Sequence, residues 1–373
     1  MKYALVLAVF FLFCASAVAD DAASWAEIYR QVSQSSIEDV SVEKLAVTVL
    51  KGVSKADKNL RLADDDTRLT LYYKGRVVKV LRKPEDRSDA RAWGKITAQI
   101  EEVVRQKSEQ AALRDFEMPS LLGSEIVKVL DKDSKFYADM DEISGEKAAR
   151  RRLFASRVEK NVLILKPAVF NKQTFQRIKE ALEENSGVKA VVLDLRGCPG
   201  GMPGAAIETA DLFLDGGITA ISFGKEADVE TYYNATSKDR PLLIPLFVLV
   251  DSDTASAAEV LAAALQEQGR AKLIGTQTRG KFSKQKLVGL SDGGVLAVTD
   301  GFFATPAGNH LHGKGISPDF CTFGQKDDAD VVVSSGTSCS GESRENSSVE
   351  LETALYLAEK QDSFSDFKPK SEK

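Results

Sequence analysis

"VLVDSDTASAAEVLAAALQ", residues 248–266, joins a strand-like apolar run to an alanine-rich run through the turn-forming residues Asp251 to Thr254. Alanine and leucine favour helix, so the stretch reads as a buried strand feeding a helix, the repeating unit of an α/β layered domain. The neighbouring sequence repeats the pattern. "VEKNVLILKPAVF" (158–170) reads as a strand and "NKQTFQRIKEALEENSG" (171–187) as an amphipathic helix ending at Gly187. "VKAVVLDLRG" (188–197) and "RPLLIPLFVLVD" (240–251) are apolar along most of their length, as expected of strands covered on both faces. "AAIETADLFLDGG" (205–217) is a helix and "AKLIG" (271–275) a short strand. The central sheet is therefore expected to be largely parallel. In such sheets the ligand crevice lies beyond the carboxyl ends of the strands, which here carry "DLRGCPGG" (194–201) and "VDSDTASAAE" (250–259).

Toward the amino terminus the pattern is mixed α+β. "SWAEIYRQVSQ" (24–34) and "VEKLAVTVLKGVSK" (42–55) have helical apolar spacing. "TRLTLYYKGRVVKVLRKP" (67–84) alternates on each side of Lys74-Gly75 and predicts a β-hairpin. "RAWGKITAQIEEVVRQKSEQ" (91–110) is a polar helix with a stripe at Ile96, Ile100, Val103 and Val104. "SVELETALYLAEK" (348–360) predicts a last helix after a polar, serine-rich stretch, 326–346. The opening "MKYALVLAVFFLFCASAVADD" has one lysine, an apolar core and an A-x-A pattern at Ala17 and Ala19, so residues 1–19 read as a signal peptide. The mature chain is expected to be exported, periplasmic or secreted, with no stable membrane span, because no second apolar run of about 18 residues follows.

Composition narrows the classes. The 373 residues carry a formal charge of -5, which argues against a nucleic-acid partner. Two histidines and the absence of any CxxC pair argue against a metal site. Beyond the leader the cysteines are Cys198, Cys321 and Cys339; Cys321 and Cys339 flank a polar stretch and are the natural candidates for a disulfide in an oxidising compartment.

Ser256 has two local readings. Ser256-Ala-Ala-Glu259 fits an S-x-x-E capping box, with Thr254 an alternative cap. A serine at a helix mouth also sits among backbone N–H groups, Ala257 first, whose partial charge suits a developing oxyanion. If Ser256 is a nucleophile, a base is needed. His310 or His312 in "PAGNHLHGKGISPDF" could serve, or a lysine held neutral: Lys272, Lys281, Lys284 and Lys286 lie downstream. The glycines of "DLRGCPGG" are either a tight turn or a nest of N–H donors.

Taken together, "VVLDLRGCPGG", "PLFVLVDSDTASAAEVLAAALQEQGRAKLIGTQTRGKFSKQ" and "LAVTDGFFATPAGNHLHGKGISPD" resemble the carboxy-terminal processing (tail-specific) serine proteases, peptidase family S41. In that family the blocks read D-L-R-x-N-P-G-G, then S-A-S-A-S-E followed by a G-K-G lysine, then G-I-x-P-D. The resemblance covers 188–320 strongly and 120–187 more faintly. It implies a crotonase/Clp-protease-like α/β layered core over 156–325, preceded by a mixed α+β region (20–115) and a helical arm and linker (116–155), and followed by a polar loop and helix (326–373). It also implies Ser256 as nucleophile, Lys281 as general base, Gln285 as the residue orienting that lysine, and an oxyanion hole from the Ala257 N–H with Gly200 or Gly201. No cofactor is implied; the partners are protein or peptide substrates, with an adaptor or a second copy engaged through the N-terminal region.

The chain departs from the pattern at Thr254, Ala258, Phe282 and Cys198. It also leaves only residues 144–161 between the arm and "VLILKPAVF", too short for the family's usual PDZ domain of about 80–100 residues. The resemblance therefore implies a PDZ-lacking serine endopeptidase. A catalytically inactive peptide-binding homologue of the same fold is the alternative, and an acyl-CoA enzyme on a related core is the rival from another class.

Overall fold

The computed structural model describes residues 21–113, 117–144, 154–225, 230–236, 243–323, 330–333, 339 and 348–360. The expected leader and most of the polar stretch 326–346 lie outside the described residues. The chain forms two compact units: residues 1–140 with 285–301, and residues 141–284 with 302–373.

The first unit packs helices α1 (21–35), α2 (Val42–Lys51) and α3 (Ala90–Lys107) with an antiparallel sheet of β1 (Leu60–Asp64), β2 (Arg68–Tyr73) and β3 (Arg76–Arg82). Ser41 caps α2 by accepting from Lys44 N, and Asp89 caps α3 by accepting from Arg91 N and Ala92 N. The predicted hairpin forms around Lys74 (φ 48°) and Gly75 (φ 75°), both left-handed as a tight two-residue turn requires. Trp25, Tyr29, Leu45, Leu50, Leu71, Trp93 and Ile100 fill its core. The stretch after α3 consists of short helical turns at Met118–Gly123 and Ile126–Val129, then β4 (Lys135–Tyr137). β4 pairs antiparallel with the start of β13 (Val295–Ala304).

The second unit holds β5 (Phe154–Glu159), β6 (Val162–Pro167), β7 (Ala190–Asp194), β10 (Leu246–Val250), β11 (Lys272–Gly275), β14 (Phe320–Phe323) and β15 (Asp330–Val333). Their order is β15-β14-β11-β10-β7-β6-β5. The five inner strands are parallel and the two edge strands antiparallel. Alternation explains why the inner strands are apolar throughout. Leu163, Leu165, Val191, Leu193, Val248 and Val250 pack toward α4 (Lys172–Glu184), α5 (Pro203–Asp211) and α6 (Ala257–Glu267). Val162, Ile164, Val192, Phe247 and Leu249 pack on the opposite face with Ala354, Leu355 and Ala358 of α7 (Val349–Lys360).

One strand expectation is corrected. "VEKNVLILKPAVF" is not a single strand, because Lys160 (φ 49°) and Asn161 (φ 64°) reverse the chain into a β5–β6 hairpin. Further strands have no signature in the apolar pattern: the antiparallel pair β8 (Ile218–Gly224) and β9 (Glu230–Asn234), β12 (Ser283–Gly289) and β13.

Candidate active site

Three turns meet beyond the carboxyl ends of the parallel strands β7, β10 and β11, where an α/β sheet opens its crevice. The turn after β10 is built on Asp251. Its carboxylate accepts from Asp253 N and Thr254 N, and also from Gly197 N (3.1 Å) in the turn after β7. Thr254, the family's first serine position, is wholly buried; its hydroxyl lies 2.9 Å from Leu195 O and 3.0 Å from Asp251 N. Ala255 N donates to Cys198 O (3.0 Å), and Arg279 N, in the turn after β11, donates to Thr254 O (3.0 Å). Thr254 therefore ties the three turns together rather than capping α6.

Ser256 stands at the mouth of α6 with φ 55° and ψ −123°, a conformation non-glycine residues rarely adopt. The predicted capping box forms at this position: Ser256 N donates to Glu259 Oε2 (2.9 Å), and Glu259 N returns to Ser256, 2.8 Å from its carbonyl oxygen.

Glu259 is fully buried, and local spacing reads it only as a cap partner. It accepts from Thr278 Oγ1 (2.5 Å) and Gly280 N (2.7 Å) on Oε1, and from Lys281 N (2.8 Å) and Ser256 N on Oε2. The backbones of Ser256 and Lys281 thus hang from one carboxylate oxygen. Burial pushes the Glu259 pKa up, against the lowering effect of these four donors. The turn that carries Lys281 is held from outside as well: Thr278 N donates to Ile316 O (3.1 Å), Ile316 N to Thr278 Oγ1 (2.8 Å), and Gly313 N to Gly280 O (2.8 Å). The "HGKGIS" block is therefore a clamp on the lysine turn.

Gly200 (φ 99°) and Gly201 (φ 129°) adopt backbone conformations that favour glycine. A Cβ on Gly200 would lie 2.8 Å from both Ala257 N and Ser256 Cβ. Gly200 O accepts from Phe170 N, and Met202 N donates to Phe170 O, so the Gly201 amide faces away from that bridge. The Gly200 N–H goes to the Cys198 sulfur, whose thiol is pushed up to about 12 by burial. Among the described residues, the N–H groups of Ala257 and Gly201 have no acceptor.

The other predicted residues fall as follows. Gln285 belongs to the first unit, where its Nε2 donates to Asp133 O (2.5 Å). Lys272 pairs with Asp319 (2.8 Å). The rings of His310 and His312 pack against Phe223 (4.8 Å) and Phe302 (4.7 Å), and neither bonds Ser256 Oγ. Cys321 and Cys339 are bonded, their Cα atoms 5.6 Å apart. No group of three or more His, Cys, Asp or Glu among the described residues could hold a metal ion, and no described helix is long and apolar enough to cross a membrane.

Residues 161–322 match the model of peptidase family S41. A carboxy-terminal-processing protease of Bartonella bacilliformis is 35% identical over 169 residues, which is 44% of this chain and 39% of that protein. A probable CtpA-like serine protease of Staphylococcus aureus is 35% identical over 153 residues, 40% of this chain and 31% of that protein. The chain thus spans less than half the length of either relative. The solved photosystem II D1 C-terminal processing protease is 31% identical with a TM-score of 0.39, covering 52% of this chain and 48% of that one.

Proposed function

From the match of residues 161–322 to peptidase family S41, we propose that this chain is an exported serine endopeptidase that works through an acyl-enzyme and without a PDZ domain. The observation that carries the proposal is the shared grip of Glu259 Oε2 on the amides of Ser256 and Lys281, beside two unengaged N–H groups. In the proposed reaction, neutral Lys281 takes the proton of Ser256 Oγ as that oxygen attacks the scissile carbonyl. The Ala257 and Gly201 N–H groups receive the oxyanion, with the amino end of α6 adding its positive dipole. The ammonium of Lys281 then protonates the leaving amine. Water hydrolyses the ester with the same lysine as base.

The nine residues between the helical turn at Met140–Ser144 and β5 support the absence of a PDZ domain. The leader pattern of residues 1–19 supports export, as does the Cys321–Cys339 bond, since disulfides persist in oxidising compartments.

The test is hydrolysis of an unfolded protein by the full chain. Ser256→Ala and Lys281→Ala should each lower kcat by about a thousandfold or more while circular dichroism stays unchanged. Near-full activity in Lys281→Ala would refute the base assignment. A wild type that binds peptide without cleaving it would instead mark the chain as an inactive binding homologue.

A further inference from the structure

The second unit opens a groove of about 750 Å³ that the mechanism above does not use. It lies along α4 and the start of α5, and Asn171, Phe175 and Met202 are among its lining residues. Its place is fixed by the bridge between Phe170 and Gly201. Phe170 N donates to Gly200 O and Met202 N to Phe170 O, each at 2.7 Å. A Cβ on Gly201 would collide with the Phe170 carbonyl, so the two backbones run in close contact. Asn171 and Met202, the next residues on either side of that bridge, are thereby held at one flank of the turn that offers the Gly201 amide. On the other flank, a Cβ on Gly200 would lie 2.8 Å from Ser256 Cβ. Two residues of chain span at most about 7 Å, which puts the Met202 Cα within about 12 Å of Ser256 Cβ. An extended peptide advances about 3.3 Å per residue. A substrate chain whose scissile carbonyl lies at Ser256 therefore passes the groove within about three residues of the bond that breaks.

The lining states what fits. Met202 is 54% exposed, and Phe175 is half-buried against the core of the second unit. One exposed methionine is ordinary on a protein surface. Together with Phe175 in a concave wall beside the proposed oxyanion donors, it makes an apolar seat with a peptide running past it. Methionine is also flexible enough to close around side chains of different shape. The charged side chains on the lining balance, Lys172 and Arg177 against Glu180 and Glu208. A charged occupant would lose hydration there without meeting an excess of opposite charge, whereas an apolar one gains by leaving water.

We propose that this groove is the subsite that selects where the chain cuts: it takes an apolar substrate side chain within about three residues of the scissile bond, and Met202 and Phe175 select it. This rests on the serine-protease reading and adds the class of peptide that reading leaves open. The experiment compares wild type, Met202→Glu and Met202→Lys as full chains, digesting an unfolded protein of mixed composition and mapping the cuts by mass spectrometry. In wild type, one position within three residues of the cuts should be enriched about tenfold in Leu, Met or Phe, the preference expected from burying such a side chain in an open groove. At that position Met202→Glu should favour Lys and Arg, and Met202→Lys should favour Asp and Glu. The comparison is a ratio between residues at one position, so a general loss of rate in a variant cancels out of it. Fluorescence anisotropy of an apolar and a charged labelled peptide, with the same three proteins, supplies a readout that needs no turnover. Cut-site preferences that are the same in all three proteins overturn the inference while the protease reading stands. If wild type binds the apolar peptide without cleaving anything, and Met202→Glu weakens that binding about tenfold relative to a basic peptide, the protease reading falls and the subsite stands. Binding that ignores both substitutions in a wild type that does not cleave overturns both.

Discussion

Glu259 holds the site together in a form that burial opposes. All four of its contacts are donors aimed at the two oxygens, so the geometry suits an ionised carboxylate with no proton to place. Yet burial raises its pKa above the ordinary 4.5. For a carboxyl whose folded pKa is raised, the native state binds more protons than the unfolded chain between the two values. Its stabilising contribution is therefore complete below the unfolded pKa and is lost as pH rises through the folded one. Urea denaturation of wild type and Glu259→Gln from pH 4 to 8 should show wild-type stability falling relative to the variant across that window, whatever the constant offset from lost hydrogen bonds. Activity should run the other way, since the ionised form organises Ser256 and Lys281, and Glu259→Gln should be severely impaired at neutral pH. A parallel pair of stability curves would remove Glu259 as the titrating strut. The S-x-x-E spacing makes Glu259 visible in the sequence, but as a cap. Its second role depends on Gly280 and Lys281, about twenty residues downstream, which local spacing does not reach.

Strands and helices are more legible in the sequence than turns. β7 and β10 announce themselves because both faces are covered, which makes nearly every position apolar, and α4 through its amphipathic stripe. The β5–β6 turn escapes the pattern because Lys160 and Asn161 interrupt an otherwise continuous run with no glycine. β8 and β12 escape it because their apolar residues follow neither period cleanly. The glycines after β7 are ambiguous between a turn and a donor nest, and the difference lies in their approach to α6. A methyl on Gly200 would meet Ser256 Cβ, Ala257 N and the Ala255 carbonyl on a backbone at φ 99°. Gly200→Ala should destabilise the second unit by more than about 1 kcal/mol, as alanine at an incompatible φ does, and should abolish hydrolysis. Gly204, at the start of α5, has open space where a methyl would sit, with nothing within 4 Å. Gly204→Ala should therefore keep activity and match or slightly raise stability, by up to about 1 kcal/mol. Equal effects of the two substitutions, read by thermal melts and peptide hydrolysis, would sever the glycine turn from the serine.

At the scale of the molecule, two units with separate cores share one chain that crosses between them near Met140, Lys284 and Gly301. The return of residues 285–301 to the first unit has no local signature, because β13 pairs with β4 from about 160 positions away in sequence. The second unit's outer ties are equally non-local. Arg196, buried and paired with Asp194, reaches Glu350 of α7 at 3.1 Å, and the Cys321–Cys339 bond closes a separation of 18 residues. Cys321 lies on β14 opposite Gly275 at the end of β11, and Cys339 O accepts from Gln277 N (2.8 Å), four residues before Lys281. The disulfide thus braces the turn that carries the proposed base. A loop of this size stabilises by about 3 kcal/mol in the chain-entropy model. Reduction, or Cys321→Ser with Cys339→Ser, should lower the second unit's urea midpoint accordingly and leave the first unit's transition in place. Amide hydrogen exchange should report the local consequence: Gln277, Thr278 and Lys281 should lose protection before the inner strands do, and hydrolysis should fall with them. If the reduced chain keeps the same midpoint and the same protection at those amides, the bond is incidental to the site and the clamp of residues 313–316 alone sets the lysine turn.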